Sequence, residues 1–151
     1  MIGRLCLSIL LLVAVFPDAT SVRATSQNCL SYETDGVKLV GKLLRKTFPG
    51  PPNYQSLKKG DQPEVEWILR LAKPICVKAD KLNEYNAAER NVSDVQLVLT
   101  EEQSGQIRRR RLNRAVAITG QLFHAHTGHH HTRVLMAVSK LEVGGVKGGV
   151  K

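Results

Sequence analysis

Val95-Gln96-Leu97-Val98-Leu99-Thr100-Glu101-Glu102-Gln103-Ser104-Gly105-Gln106-Ile107 changes period in mid-course, from an aliphatic strand run to the start of a helix. Thr100 stands where a helix cap belongs and Gln103 follows three residues later, a pattern that satisfies two otherwise orphaned N–H groups. Glu101 and Glu102 lie at the positive end of that helix and Arg108, Arg109, Arg110 and Arg111 at its negative end, as the macrodipole favours. Gly105 weakens it, and only Ile107 and Leu112 can dock it, so the helix is short.

Everything around this helix is patterned for strands. Val37, Leu39, Gly41 and Leu43 alternate with Lys38, Val40, Lys42 and Leu44, which predicts a long first strand bent or bulged at its glycine. Val65, Trp67, Leu69 and Leu71 share one face of a second strand that ends near Pro74 and Cys76. The polar stretch 78–93 reads as loop, 95–99 as the third strand, and 115–123 and 133–141 as the fourth and fifth. The order β-β-β-α-β-β predicts a mainly β fold, a small OB-fold-like Greek-key barrel of five strands with one short helix between strands 3 and 4. A β-sandwich is the competing architecture, and the helix in that slot favours the barrel.

With 151 residues, 42% of them hydrophobic and 23% charged, the chain has room for one globular domain. That composition excludes a disordered chain, a coiled coil and a multi-span membrane protein. Met1 to Arg4 form a short basic start, 5–16 is an almost unbroken apolar run, and Val22-Arg23-Ala24 offers a cleavage site. This is the layout of a secretory signal peptide, and the run falls short of the roughly 20 residues that span a bilayer. We therefore expect a signal peptide at 1–24, an OB-fold-like domain at 25–141, and a flexible tail at 142–151 that repeats Gly-Gly-Val-Lys. The expected location is periplasmic or secreted, with no membrane span after cleavage.

Export bears on the cysteines. Cys6 leaves with the signal, and Cys29 and Cys76 remain to form one disulfide in an oxidising compartment. In the chain-entropy account such a bridge stabilises by about 4 kcal/mol.

All five histidines lie in one segment, His124-Ala125-His126-Thr127-Gly128-His129-His130-His131. A two-residue loop at Thr127-Gly128 would gather four imidazoles on one face but split the core, setting Val116, Ile118 and Leu122 opposite the face of Val134, Met136 and Val138. A three-residue loop at His126-Thr127-Gly128 restores a common face, with Val116 meeting Val138, Ile118 meeting Met136 and Leu122 meeting Thr132. That register pairs His124 with His130 and lets His126 swing in as a third ligand. Neutral imidazoles so placed suit Zn²⁺, Cu²⁺ or Ni²⁺, with His129 and His131 as further candidates. The alternatives are a hydrogen-bonded hairpin tip without a cofactor, and a pH sensor.

Phe48-Pro49-Gly50-Pro51-Pro52-Asn53-Tyr54, Trp67-Ile68-Leu69-Arg70-Leu71 with Pro74-Ile75-Cys76-Val77, and Thr119-Gly120-Gln121-Leu122-Phe123 running into the histidine segment resemble an uncharacterised family of exported bacterial proteins, known as a domain of unknown function. The resemblance spans about residues 29–141 and implies secretion and the disulfide. It implies no activity.

OB-folds dock ligands on strands two and three and between the loop joining strands one and two and the loop joining strands four and five. Here those loops carry Phe48 and Tyr54 on one side and the five histidines on the other, which makes their rim the candidate ligand site. No nucleophile elbow, phosphate loop or metalloprotease motif appears, and Asp61 with Glu64 reads as an ordinary surface pair, so the residues point away from an enzyme. The expected function is a small exported binding module whose histidine hairpin coordinates a transition metal or a ligand through one. The alternative is a protein-interaction factor, an inhibitor or immunity-type partner of another exported protein. A weaker alternative is anionic-polymer binding by Arg108, Arg109, Arg110 and Arg111, in line with the net charge of +9. Three Phe, three Tyr and one Trp supply too few stacking surfaces for nucleic acid.

Overall fold

In a computed structural model, which describes residues 28–109 and 115–143, the chain closes into a five-stranded barrel. The expected signal peptide, Arg110, Arg111, Leu112 and the Gly-Gly-Val-Lys tail lie outside the described residues. The elements are β1 (Val37–Pro49), β2 (Pro63–Val77), β3 (Glu89–Val98), α1 (Glu101–Arg109), β4 (Ala115–His124) and β5 (Val134–Val143), with a 3-10 turn at Leu57–Lys59. Around the barrel the order is β1-β2-β3-β5-β4, and β4 closes back onto β1. Every pair is antiparallel except β3 with β5. This is the OB-fold-like barrel with its helix between the third and fourth strands.

The bend in β1 sits where the sequence placed it. Val37 to Lys42 pair with β4, Gly41 to Pro49 pair with β2, and Gly41 belongs to both ladders. A Cβ there would run into the backbone carbonyl of Arg70, so the close approach of two neighbouring strands requires glycine.

Leu39, Leu43, Leu69, Val95, Leu97, Val116, Ile118, Leu122, Val134 and Met136 fill the barrel and are nearly inaccessible to solvent. α1 plugs one end through Ile107, which is fully buried. Its cap is the expected reciprocal one: the Gln103 N–H donates to Thr100 Oγ1 at 3.2 Å and the Thr100 N–H to Gln103 Oε1 at 2.9 Å.

Two expectations need correction. β2 ends at Val77, one residue past the expected Cys76, but β3 begins at Glu89, within the segment read as loop. Ile75 pairs with Val92 and Val77 with Glu89, while Leu30 bridges Val77 from outside the sheet. That extension was hidden because its one apolar inward residue is Val92 and its buried end is a glutamate.

The second correction concerns the histidine hairpin. His124 faces Val134, not His130, and Leu122 faces Met136, so a loop of residues 125–133 replaces the three-residue turn. The faces came out as expected, because Leu122 and Met136 share the core; the loop length did not. A register shift beyond Gly120↔Val138 then brings Ile118 opposite Leu141 and Val116 opposite Val143. The long loop is stable because carboxylate and amide side chains elsewhere in the chain bind it, which strand alternation does not report.

The Cys29–Cys76 disulfide is present. It ties the lead-in to β2 beside two backbone hydrogen bonds, Leu30 N–H to Cys76 O and Lys78 N–H to Leu30 O. A disulfide is compatible with an exported protein.

Candidate functional site

The loop 125–133 is held at two levels. At its feet, Glu89 is buried at the start of β3. Its Oε1 meets His124 Nε2 at 3.1 Å and its Oε2 accepts from Arg133 Nη1 at 2.8 Å, so one carboxylate bridges the last residue of β4 and the residue before β5. His124 Nδ1 lies 3.0 Å from the Ala125 carbonyl, and the His124 N–H donates to Asn86 Oδ1. Tyr32 packs edge-on against His124 and donates its hydroxyl to Ala87 O. Burial, and then the Glu89 charge, push that phenol up to about 12.

At the crown the partner is Glu64. The β1–β2 hairpin runs on past the last β2–β3 pair, Ile68 with Gln96, so that Phe48 and Glu64 oppose each other at its tip. Glu64 Oε1 accepts from His129 Nδ1 at 2.7 Å, and Oε2 accepts from His131 Nε2 at 3.0 Å. With its Nδ1–H donated to Glu64, His129 presents the lone pair of Nε2 to the Tyr54 hydroxyl at 2.9 Å. Phe48 stacks on His131 with centroids 4.4 Å apart and planes 2° apart, and Tyr54 meets His129 edge-on at 5.1 Å. From below, Gln96 donates Nε2–H to the His129 carbonyl at 2.9 Å and accepts the His131 N–H at 2.7 Å.

Two glycines and one strained residue make the fit. A Cβ on Gly128 would lie 2.9 Å from three atoms of the Tyr54 ring, and one on Gly50 would collide with the Glu64 side chain. Tyr54 itself has φ +56°, a left-handed backbone rare outside glycine. Asp61 stabilises that turn by accepting N–H groups from Asn53, Gln55 and Ser56, which hold its carboxyl below the usual range, the bonds from Ser56 and Gln55 foremost.

His126 and His130 form a separate pair. The His126 backbone N–H donates to His130 Nδ1 at 3.0 Å, and the rings meet edge-on at 4.6 Å beside Phe123. Burial first, and then the charges of His126, His129 and His131, hold the His130 imidazole below its ordinary value.

The five imidazoles are thus divided into three groups. His124 belongs to Glu89, His129 and His131 to Glu64, and His126 and His130 to each other. The structure does not bring His124, His126 and His130 to one point, and among the described residues no three His, Cys, Asp or Glu side chains are arranged to hold a metal ion. It does bring Phe48 and Tyr54 to the histidine loop, both in contact with imidazoles. Asp61 and Glu64, read as one surface pair, take unrelated roles. Sequence reading missed Glu89 and Gln96, which lack any local motif, and set Glu64 aside as a surface carboxylate; the juxtaposition of the two barrel loops is the signal that could have found it.

Arg108 lies elsewhere, exposed on α1. With Arg45, Trp67, Leu97, Leu99 and Glu101 it borders a groove of about 420 Å³ between β2, the end of β3 and the helix. Arg45 covers the Trp67 ring there at 5.2 Å.

Residues 94–142, from late β3 into β5, match the model of a family described as a domain of unknown function, DUF4431. No curated protein and no solved structure matches the chain.

Proposed function

We propose that the chain is a small exported binding module whose working surface is the crown, and that its ligand is an acidic face of another exported protein. The observation that carries this reading is the Glu64 bridge. One carboxylate fixes the proline-rich loop and the histidine loop as a single rigid tip, so the surface is assembled before any ligand arrives and little ordering entropy is lost on binding. The tip exposes His126 and His129, with Arg133 exposed at the foot of the same loop, on a chain of net charge +9, which favours an acidic partner. The protein-interaction reading gains over the metal reading because most imidazole nitrogens are already bonded within the protein.

A photoreactive amino acid placed at position 126, in the native exporting host, tests this. The expected result is a defined adduct from position 126 that Glu64→Gln suppresses, with none from position 82, where Leu82 is 98% exposed on the β2–β3 loop. Adducts of equal yield from both positions, or none from 126, contradict it. Calorimetric titration with Zn²⁺, Cu²⁺ and Ni²⁺ examines the metal reading: stoichiometric binding lost in a variant with His124, His126 and His130 all changed to Ala would replace the partner protein by a metal-linked ligand.

A further inference from the structure

Tyr54, His129 and Glu64 form a hydroxyl–imidazole–carboxylate series at the open face of the crown. The distances are 2.9 Å from Tyr54 Oη to His129 Nε2 and 2.7 Å from His129 Nδ1 to Glu64 Oε1. A nucleophile in reach of a base, with the base oriented by a third group, is the general arrangement for activating a weak oxygen nucleophile. Each member is fixed independently of the others. Glu64 is braced by His131, the His129 carbonyl is held by Gln96, and the Tyr54 ring sits against bare Gly128 on a left-handed backbone. A non-glycine residue kept in that conformation beside a base is the kind of stored strain that accompanies pre-organised chemistry.

We infer that Tyr54 is a base-assisted nucleophile that accepts an acyl group from an activated carboxylic ester. The Tyr54 phenol oxygen attacks the carbonyl carbon as His129 Nε2 takes the phenol proton, and Glu64 stabilises the imidazolium that forms. The bond between the acyl carbon and the leaving oxygen then breaks. The leaving group departs either as its oxyanion, with His129 then releasing its proton to water, or with the proton returned by His129, and the acyl group remains on Tyr54 as an aryl ester. The step needs no oxidant, reductant or metal. It goes beyond the docking reading and does not depend on it, since it requires only a small ester.

The chain supplies its own control. Tyr85 is 65% exposed, more open than half-buried Tyr54, and among the described residues no imidazole hydrogen-bonds its phenol, so accessibility alone would favour Tyr85. The probe is p-nitrophenyl acetate on the oxidised protein, with acetylation of each tyrosine followed by peptide mass spectrometry. General-base assistance is worth about 10²–10⁴-fold, so Tyr54 is expected to acquire acetyl at least about a hundredfold faster than Tyr85. His129→Ala should bring Tyr54 down to the Tyr85 rate, and because the His129 side chain is 61% exposed that variant keeps its fold. Glu64→Gln should lower the rate in part by loosening the orientation of the imidazole, and a normal solvent deuterium isotope effect should appear at Tyr54 and vanish in His129→Ala. Equal rates at the two tyrosines, or a Tyr54 rate indifferent to His129→Ala, would overturn the inference. Neither result bears on photocrosslinking at position 126, so the two readings fail separately.

Discussion

Glu89 and Glu64 grip the same loop, Glu89 at its feet through His124 and Arg133, and Glu64 at its crown through His129 and His131. Their surroundings differ. Glu89 is enclosed with Tyr32 and Asn86 above the disulfide-braced side of the barrel, and its bonds fasten β4 to β5. Glu64 stands at the tip of an extended hairpin, and its bonds fasten two loops that the ladder does not join. The same chemistry therefore serves closure in one place and the shaping of an exposed surface in the other. A carboxylate–imidazole pair reports function only when its environment is known.

That contrast yields an order of effects. The largest concerns the braced side as a whole: changing both Cys29 and Cys76 to Ser should lower stability by about 4 kcal/mol, read from urea unfolding of the variant beside the oxidised protein. Next, Glu89→Ala should cost about 2 kcal/mol, since it strands a partly buried imidazole and an arginine, discounted for the exposure of Arg133. Glu64→Ala should cost less, about 1 kcal/mol, because His129 is largely exposed and Glu64 is itself more open than Glu89, although His131 loses its partner. A larger loss from Glu64→Ala than from Glu89→Ala would break the comparison. Gly128→Ala sharpens it further. The added methyl must displace the Tyr54 ring, so ring resonances of Tyr54 and His129 should shift while the unfolding midpoint barely moves.

The smallest effect is a pH dependence. His130 titrates below its ordinary value in the folded protein, chiefly through burial. The unfolded chain therefore binds more protons between that lowered value and the usual imidazole value of about 6.5. Stability from this residue is present above that window, declines as pH falls through it, and is level below. Protonation also removes the Nδ1 lone pair that accepts the His126 N–H. His130→Ala should flatten this part of the stability–pH curve, as followed by thermal melting across mildly acidic buffers.

The fold was legible where burial imposes a period. The capping residues Thr100 and Gln103, the bend at Gly41 and the common face of Leu122 with Met136 all follow from local rules or from alternation. The loop length between β4 and β5 was not, because parity admits any even shift and the deciding bonds come from Gln96, Glu64 and Glu89, more than thirty residues away. The start of β3 escaped for a related reason: Glu89 is buried by its partners, and a glutamate in sequence reads as solvent-facing. At the candidate site, convergence of the Phe48–Tyr54 loop with the histidines was legible from topology, while which imidazole meets which partner required coordinates.

Amide hydrogen exchange in Glu64→Gln, compared residue by residue with the unaltered protein, tests most directly whether Glu64 assembles the crown without sustaining the barrel. The account predicts faster exchange at the His130 and His131 N–H groups, which donate to Thr127 O and Gln96 Oε1, with unchanged protection in β4, β5 and the ladder between them. Unchanged protection throughout the loop, or a uniform loosening of loop and barrel together, would contradict it.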